Sequence, residues 1–257
     1  MHHFDYKNGE LFCEQVSISQ IAEEFGTPVF VYSSETLKRH FRVFMEPFSN
    51  IRHLICFSMK ACSNLAILKI FSNLGGGVDI VSGGELFRAL KAGVPSSRIV
   101  YSGVGKRPSE MDYALESDIL MFNVESQEEL ELLNNRALGL GKRARIAIRI
   151  NPDVDPLTHP YISTGLKSNK FGIPIEQALE IYRRAKELPG LDPVGLDCHI
   201  GSQLTDLEPF LDAVSILGKL LGNLRIKGID IKYLDIGGGL GIPYDQETPP
   251  EPGEYGA

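Results

Sequence analysis

LICFSMKACSNLAILKIFSNLGGGVDIVSGGELFRALKAGVPSSRIVYSG, residues 54–103, decides the fold. It reads as three strands, LICFS (54–58), GVDIVS (77–82) and RIVYSG (98–103), with helical patterns near 64–73 and 84–92 between them. Strands that alternate with helices at this pitch make βαβ units and a parallel sheet. The rhythm continues through DILMFNV (118–124), RIAIRIN (145–151), VGLDCHI (194–200) and KYLDIG (232–237). Helices are expected near 108–116, 126–139, 175–188 and 207–223, and Ser126 with Glu129 three residues on marks a helix start. A further strand, VFVYS (29–33), and a helix near 34–48 precede the regular part. Seven strand–helix repeats, the last without its helix, are nearly a closed (β/α)8 barrel. The fold class expected is α/β, a TIM-type barrel, incomplete in this chain because strand eight is missing. An open doubly wound sheet would carry its glycine fingerprint after the first strand. Here the richest glycine turn follows the seventh.

The tail PYDQETPPEPGEYGA (243–257) reads as a proline-rich, acidic loop, Glu251-Pro252-Gly253-Glu254 included. The chain is therefore expected to be the first part of a longer protein. Two regions are expected: residues 1–33, an N-terminal segment with one strand outside the barrel, and residues 34–257, the barrel itself.

The formal net charge is −7 over 257 residues, without a block of lysine and arginine. A nucleic-acid partner is not expected. No apolar stretch is long enough to span a membrane, and the start, MHHFDYKNGELFCEQ, has no apolar signal core. The four cysteines, Cys13, Cys56, Cys62 and Cys198, form no CxxC and no metal-like spacing with histidine. Reduced thiols, a cytoplasmic location and no metal site are expected.

Strands of a parallel sheet covered on both faces should be apolar throughout, and these are not. In RIAIRIN, Ile146, Ile148 and Ile150 take one face, and Ala147, Arg149 and Asn151 the other. Asp79, Asn123, Asp197 with His199, and Asp235 repeat the pattern on other strands. The isoleucine face should pack on the helices. The polar face should point into the barrel near the C-terminal strand ends, where barrel active sites sit.

Three features give that pocket a chemistry. Lys60 stands where the chain leaves a strand. Gly237, Gly238 and Gly239 follow the seventh strand directly, where barrels often bind phosphate. His199 leaves the sixth strand in HIGSQ, with the Ser202 hydroxyl nearby. A lysine, a phosphate cradle and a flat imidazole suggest a phosphorylated aldehyde cofactor. Pyridoxal 5′-phosphate meets that description.

Motifs along essentially the whole chain then fit one family. They are YSSETLKRHF, FSMKACSNLAIL, GGGVDIVSGGEL, YSGVGK, FNVES, RINPDVDPLTHPYISTGLKSNKFGI, DCHIGSQL and LDIGGGLGIPY. The chain resembles the diaminopimelate decarboxylase family, of the alanine-racemase-like barrel class of pyridoxal-phosphate enzymes. The resemblance implies decarboxylation of meso-2,6-diaminopimelate to L-lysine and CO2, the last step of lysine biosynthesis. It implies that Lys60 bonds the cofactor's aldehyde and His199 stacks on its ring. Ser202 with Gly237, Gly238 and Gly239 would bind the phosphate, and Asp79 and Arg149 would lie in the cofactor's polar surroundings. The segment from His159 to Gly165, with Pro160, would be a lid near the substrate. A C-terminal β-domain with a catalytic cysteine, contributed across a homodimer interface, would lie beyond Ala257, so these residues alone should be poorly active. One departure stands out: the family's K-A-N is Lys60-Ala61-Cys62 here, and a thiol cannot reproduce an amide's hydrogen bonds. Rival readings keep the cofactor but change the substrate to ornithine, arginine or carboxynorspermidine, or make the chain a silent homologue that binds a partner.

Overall fold

The structure, a computed structural model, describes residues 2–154 and 171–257. The expected lid, His159 to Gly165, lies outside the described residues.

The N-terminus forms a small antiparallel sheet, β1 (Phe4–Lys7), β2 (Glu10–Cys13) and β3 (Val16–Ser17), followed by α1 (Ile18–Phe25). Asn8 and Gly9 both take positive φ, 54° and 83°, in the turn between β1 and β2. That is the backbone a two-residue hairpin turn demands. Residues 29–33 are not the strand that their alternation suggests. Among the described residues no strand pairs with them, and Phe30 is 88% exposed. Alternating apolar residues make a strand only when a neighbour accepts their backbone hydrogen bonds.

The barrel part begins with α2 (Ser34–Met45) and then β4 (Cys56–Ser58), α3 (Leu65–Asn73), β5 (Gly77–Ile80), α4 (Gly83–Lys91) and β6 (Ile99–Tyr101). It continues with α5 (Pro108–Glu116), β7 (Met121–Val124), α6 (Gln127–Gly139) and β8 (Ala144–Asn151). A two-residue strand β9 (Ile173–Pro174), α7 (Ala178–Glu187), β10 (Leu191–Asp197), α8 (Glu208–Ile226), β11 (Tyr233–Asp235) and α9 (Pro252–Tyr255) complete it. The strands are parallel in the order β4-β5-β6-β7-β8-β10-β11, with β9 added on β8. This is the incomplete TIM-type barrel expected: among the described residues no strand pairs β11 with β4.

The two faces of the strands separate as their alternation demands. Ile146, Ile148 and Ile150 are buried in the main core against the helices. The opposite face carries a small apolar layer of Val100, Met121, Ala147 and Val194. Gly195 exists for this layer, because a Cβ there would lie 2.8 Å from that of Ala147.

The tail corrects its reading as a loop. Glu251 donates its N–H to Glu254 Oε2 at 2.9 Å and starts one helical turn, α9, with Pro252 at its first position. The Tyr255 ring then packs against Phe44 of α2, Phe48 and Phe210 of α8 at 5.8, 6.1 and 4.9 Å. The tail thus bridges helices from the two ends of the open sheet.

Candidate functional site

Above the small apolar layer, side chains from the strand ends form one hydrogen-bonded arc. Ser58 Oγ donates to Asp79 Oδ2 at 3.4 Å, and Ser102 Oγ to Asp79 Oδ1 at 2.5 Å. Asn123 Nδ2 donates to Ser102 Oγ and to Asp235 Oδ2, both at 3.1 Å. The arc therefore runs from β4 through β5, the end of β6 and β7, and reaches across the interior to β11. Parallel register makes this possible. Ser58 stands beside Asp79, and Asp197 beside both Arg149 and Asp235.

Arg149 anchors the other side. Its Nη1 donates to both oxygens of the buried Glu125 at 3.2 Å, and its Nε lies 3.9 Å from Asp197 Oδ2. Among the described residues, Arg149 Nε and Asn123 Oδ1 are buried without a hydrogen-bond partner. Buried polar atoms are seldom left so, and a polar ligand would satisfy them.

Burial sets the electrostatics. It pushes the Asp79 carboxyl up to about 6, against the Ser102 hydrogen bond that holds it down. Asp197 is raised well above the carboxylate range, by burial and then by the charge of Asp235. Burial, then the charges of Arg149 and Lys60, lowers His199 to about 4. At neutral pH His199 is an uncharged flat ring.

Lys60 lies on the rim. Met59 is buried and donates its N–H to the Asp79 carbonyl at 3.0 Å, which fixes the chain just before Lys60. The Lys60 side chain is exposed and, among the described residues, makes no hydrogen bond or ion pair. Its charge still acts on Asp79 and His199, so the three share one site. Cys62 packs beside Phe41, Ile67 and Phe71, and its thiol meets the Tyr32 hydroxyl.

The glycine turn is built for close approach. Gly237 has φ 67°, and a Cβ there would sit 2.7 Å from His199 Nδ1. Gly239 has φ 111°, and a Cβ there would sit 2.2 Å from the Gly201 carbonyl oxygen. Leu204 N–H to Gly239 O and Gly241 N–H to Leu204 O, both 2.8 Å, zip the loops after β10 and β11 together. The three glycines do not act alike. Gly237 donates its N–H inward to Asp235 Oδ1 at 2.9 Å. The amides of Gly238 and Gly239 have no protein partner among the described residues, and Gly238 faces open space. Ser202 is exposed on the adjoining loop. A pair of amides and a hydroxyl on a turn whose flanking glycines, Gly237 and Gly239, leave no room for a Cβ suits a phosphate.

The sequence-expected residues Lys60, Asp79, Arg149, His199, Ser202, Gly237, Gly238 and Gly239 all lie on the C-terminal strand ends or the loops after them. Ser102, Glu125 and Asn123 complete the constellation. Glu125 was legible as an acidic residue directly after an apolar strand, within FNVES.

Residues 34–256 match the family described as pyridoxal-dependent decarboxylase, pyridoxal binding domain. The chain belongs to the pyridoxal-dependent decarboxylases. It is 52% identical over 255 residues to diaminopimelate decarboxylase of Haemophilus influenzae, covering 99% of this chain and 61% of the relative. With the enzyme of the same name from Aquifex aeolicus it is 52% identical over 252 residues, 97% of this chain and 60% of the relative. Among solved structures, diaminopimelate decarboxylase of M. jannaschii in complex with L-lysine superposes with a TM-score of 0.90 at 40% identity, covering 98% of this chain and 60% of that one. The Helicobacter pylori enzyme with L-lysine gives 0.86 at 45% identity, covering 92% and 61%. The chain thus spans about 60% of the length of the relatives it matches. Lysine/ornithine decarboxylase of Vibrio vulnificus, 22% identical with a TM-score of 0.77, shares the fold.

Membership in this pyridoxal-binding family gives the chain its cofactor, and the residues of this pocket fit one. The rim amine, the partnerless amides, the neutral imidazole and the orphaned Arg149 Nε suit an aldehyde, a phosphate, an aromatic ring and polar ring substituents respectively. Among the described residues no helix is long and apolar enough to cross a membrane.

Proposed function

We propose that the protein is a diaminopimelate decarboxylase, which removes CO2 from meso-2,6-diaminopimelate and leaves L-lysine. The observation that carries this reading is 52% identity to such enzymes along 99% of the chain, together with a complete set of cofactor-suited groups at one barrel mouth. Relatives solved with L-lysine, the product of that reaction, support it.

Each residue then has a task. Lys60 Nζ would hold the cofactor's aldehyde, which suits an exposed amine that makes no ion pair among the described residues. Gly238, Gly239 and Ser202 donate to the phosphate. Gly237 places its backbone against His199 and keeps the imidazole edge fixed. His199, uncharged, offers a flat face to the pyridine ring. Arg149 and Asp79 set the charge around the ring, and the layer of Val100, Met121, Ala147 and Val194 keeps water from the floor. The bound cofactor supplies an electron sink for the pair left when CO2 departs. Residues 34–257 serve as the cofactor-binding unit and residues 1–33 as an appended segment. The whole protein acts on a free amino acid as a cytoplasmic homodimer, without nucleic acid or membrane. The four free cysteines agree with a reducing compartment.

The test is turnover by the whole protein of meso-diaminopimelate, ornithine, arginine, lysine and carboxynorspermidine, read as CO2 release. Preference for diaminopimelate is the expected result. Preference for another amine, or bound cofactor without CO2 from any of them, overturns the reading.

A further inference from the structure

Lys106 belongs to YSGVGK and has no part in the site as built above. It is nonetheless among the most constrained residues of the barrel. Its side chain is 1% exposed. The ammonium donates to Gly103 O at 2.7 Å, Asn123 O at 2.7 Å and Glu129 Oε1 at 2.6 Å. All three protons are used. The Tyr101 ring lies 5.6 Å below.

Each of these bonds leads toward the site. Gly103 lies in the loop directly after β6, and Asn123 in the neighbouring strand β7. Joining their carbonyls sets the spacing of Ser102 and Asn123, whose side chains bond Asp79 and Asp235. Glu129 starts α6 in an unexpected way. Ser126 Oγ accepts the Glu129 N–H at 3.1 Å, as the sequence predicts. The Glu129 carboxylate does not return to Ser126. It accepts from Glu125 N at 3.0 Å and spends its other oxygen on Lys106. Glu125 is thereby held by its backbone, and its carboxylate accepts from Gly103 N at 2.8 Å and from Arg149. One buried ammonium thus fixes two lines into the pocket: through Glu129 and Glu125 to Arg149, and through the Asn123 backbone to Asp235.

We infer that Lys106 is a positioning residue of the cofactor site, acting through Glu125–Arg149 and Asn123–Asp235 and not only as a charge partner of Glu129. This rests on the pocket holding pyridoxal phosphate. Binding of pyridoxal phosphate by the unaltered protein tests that reading separately, and the variants below test the inference.

The bland alternative is that Lys106 only neutralises a buried glutamate. Two variants of the whole protein separate them, each measured for thermal midpoint and for pyridoxal phosphate affinity by absorbance titration. Lys106→Met leaves Glu129 unpaired, so both should fall. Lys106→Met combined with Glu129→Gln removes the unpaired charge and keeps an acceptor for Glu125 N. Its thermal midpoint should recover. Its cofactor affinity should stay about tenfold or more below the unaltered protein, roughly the loss seen when a partner that orients a ligand-binding group is removed. The double variant is the more tolerant of the two and decides the matter where the single one does not fold. Affinity that returns with stability in the double variant overturns the inference. So does unchanged affinity in Lys106→Met. A double variant that does not recover its thermal midpoint overturns it as well, because the three-donor clamp is then a requirement of the fold itself.

Discussion

Lys60 and Lys106 leave the same face of the same barrel, from strands two apart in the sheet, and are built in opposite ways. Lys60 is exposed and makes no ion pair or hydrogen bond among the described residues. Lys106 is buried, and every proton it carries is donated. An amine that must bond an aldehyde has to be free of competing partners. An amine that must hold two strand ends has to be saturated. Neither sequence position advertises this. Both follow an apolar strand within a few residues, and surroundings alone divide reactive from fixed.

The largest effect should come from the free amine. Lys60→Ala should abolish covalent fixation of pyridoxal phosphate by borohydride and, with it, decarboxylation. Mass spectrometry of the reduced protein checks this, and label persisting in the variant would remove Lys60 from its role. Lys106→Met should leave Lys60 available to the label but lower folding stability by about 3–5 kcal/mol, because it strands the Glu129 carboxylate in a buried place. Urea unfolding measures it. A loss under about 1 kcal/mol would mean that Glu129 rehydrates or takes a proton. Burial already raises the Glu129 pKa, which makes the second escape the easier one.

The glycine turn gives a finer version of the same contrast. Gly239→Ala meets the Gly201 carbonyl at a positive φ, so it should destabilise the protein by more than about 1 kcal/mol. Gly238→Ala meets nothing. Its stability should hold while phosphate-dependent cofactor affinity falls, since the methyl group crowds the open amides. Equal affinity of the Gly238→Ala and unaltered proteins would place the phosphate elsewhere.

The barrel was legible because its strands obey one rule over and over. Isoleucines on one face and polar residues on the other recur from Asp79 to Asp235, and only a barrel turns all the polar faces to a common centre. The N-terminal sheet was hidden by shortness. Its strands span four, four and two residues, with no residue of β1 buried, so no long alternation announces them. The Asn8-Gly9 pair was the signal present and unused. VFVYS misled for the converse reason: its alternation is clear, but a strand depends on a neighbour as well as on itself. Lys60, His199 and the glycines were legible by type and place. Lys106 and Ser102 were not, because their importance lies in which carbonyls and carboxylates they meet across 17 to 23 residues of chain.

At neutral pH the smallest effect of all should come from His199, and it tests the electrostatics of the rim. Burial, Arg149 and Lys60 lower its folded pKa to about 4 from an ordinary 6.5. The unfolded chain therefore binds a proton through this window while the folded one does not. Stability from this group is complete above about 6.5 and is lost as pH falls toward 4, by roughly 3 kcal/mol in the cofactor-free protein. Asp79 works in the reverse sense. Its folded pKa is raised to about 6 from 3.8, so the folded state takes up the proton first and gains stability over the same fall. The two slopes oppose each other between pH 6 and 4, and Asp197 and Glu129, both raised by burial, add to the Asp79 side, so the His199 loss is offset in the unaltered protein. His199→Gln should leave stability at pH 7 nearly unchanged by this linkage and make the protein gain stability on acidification. Asp79→Asn should shift the profile the opposite way, losing stability on acidification relative to the unaltered protein. Urea midpoints from pH 4 to 7 measure both, and parallel profiles for the two variants would show that these groups do not titrate as the buried arc requires.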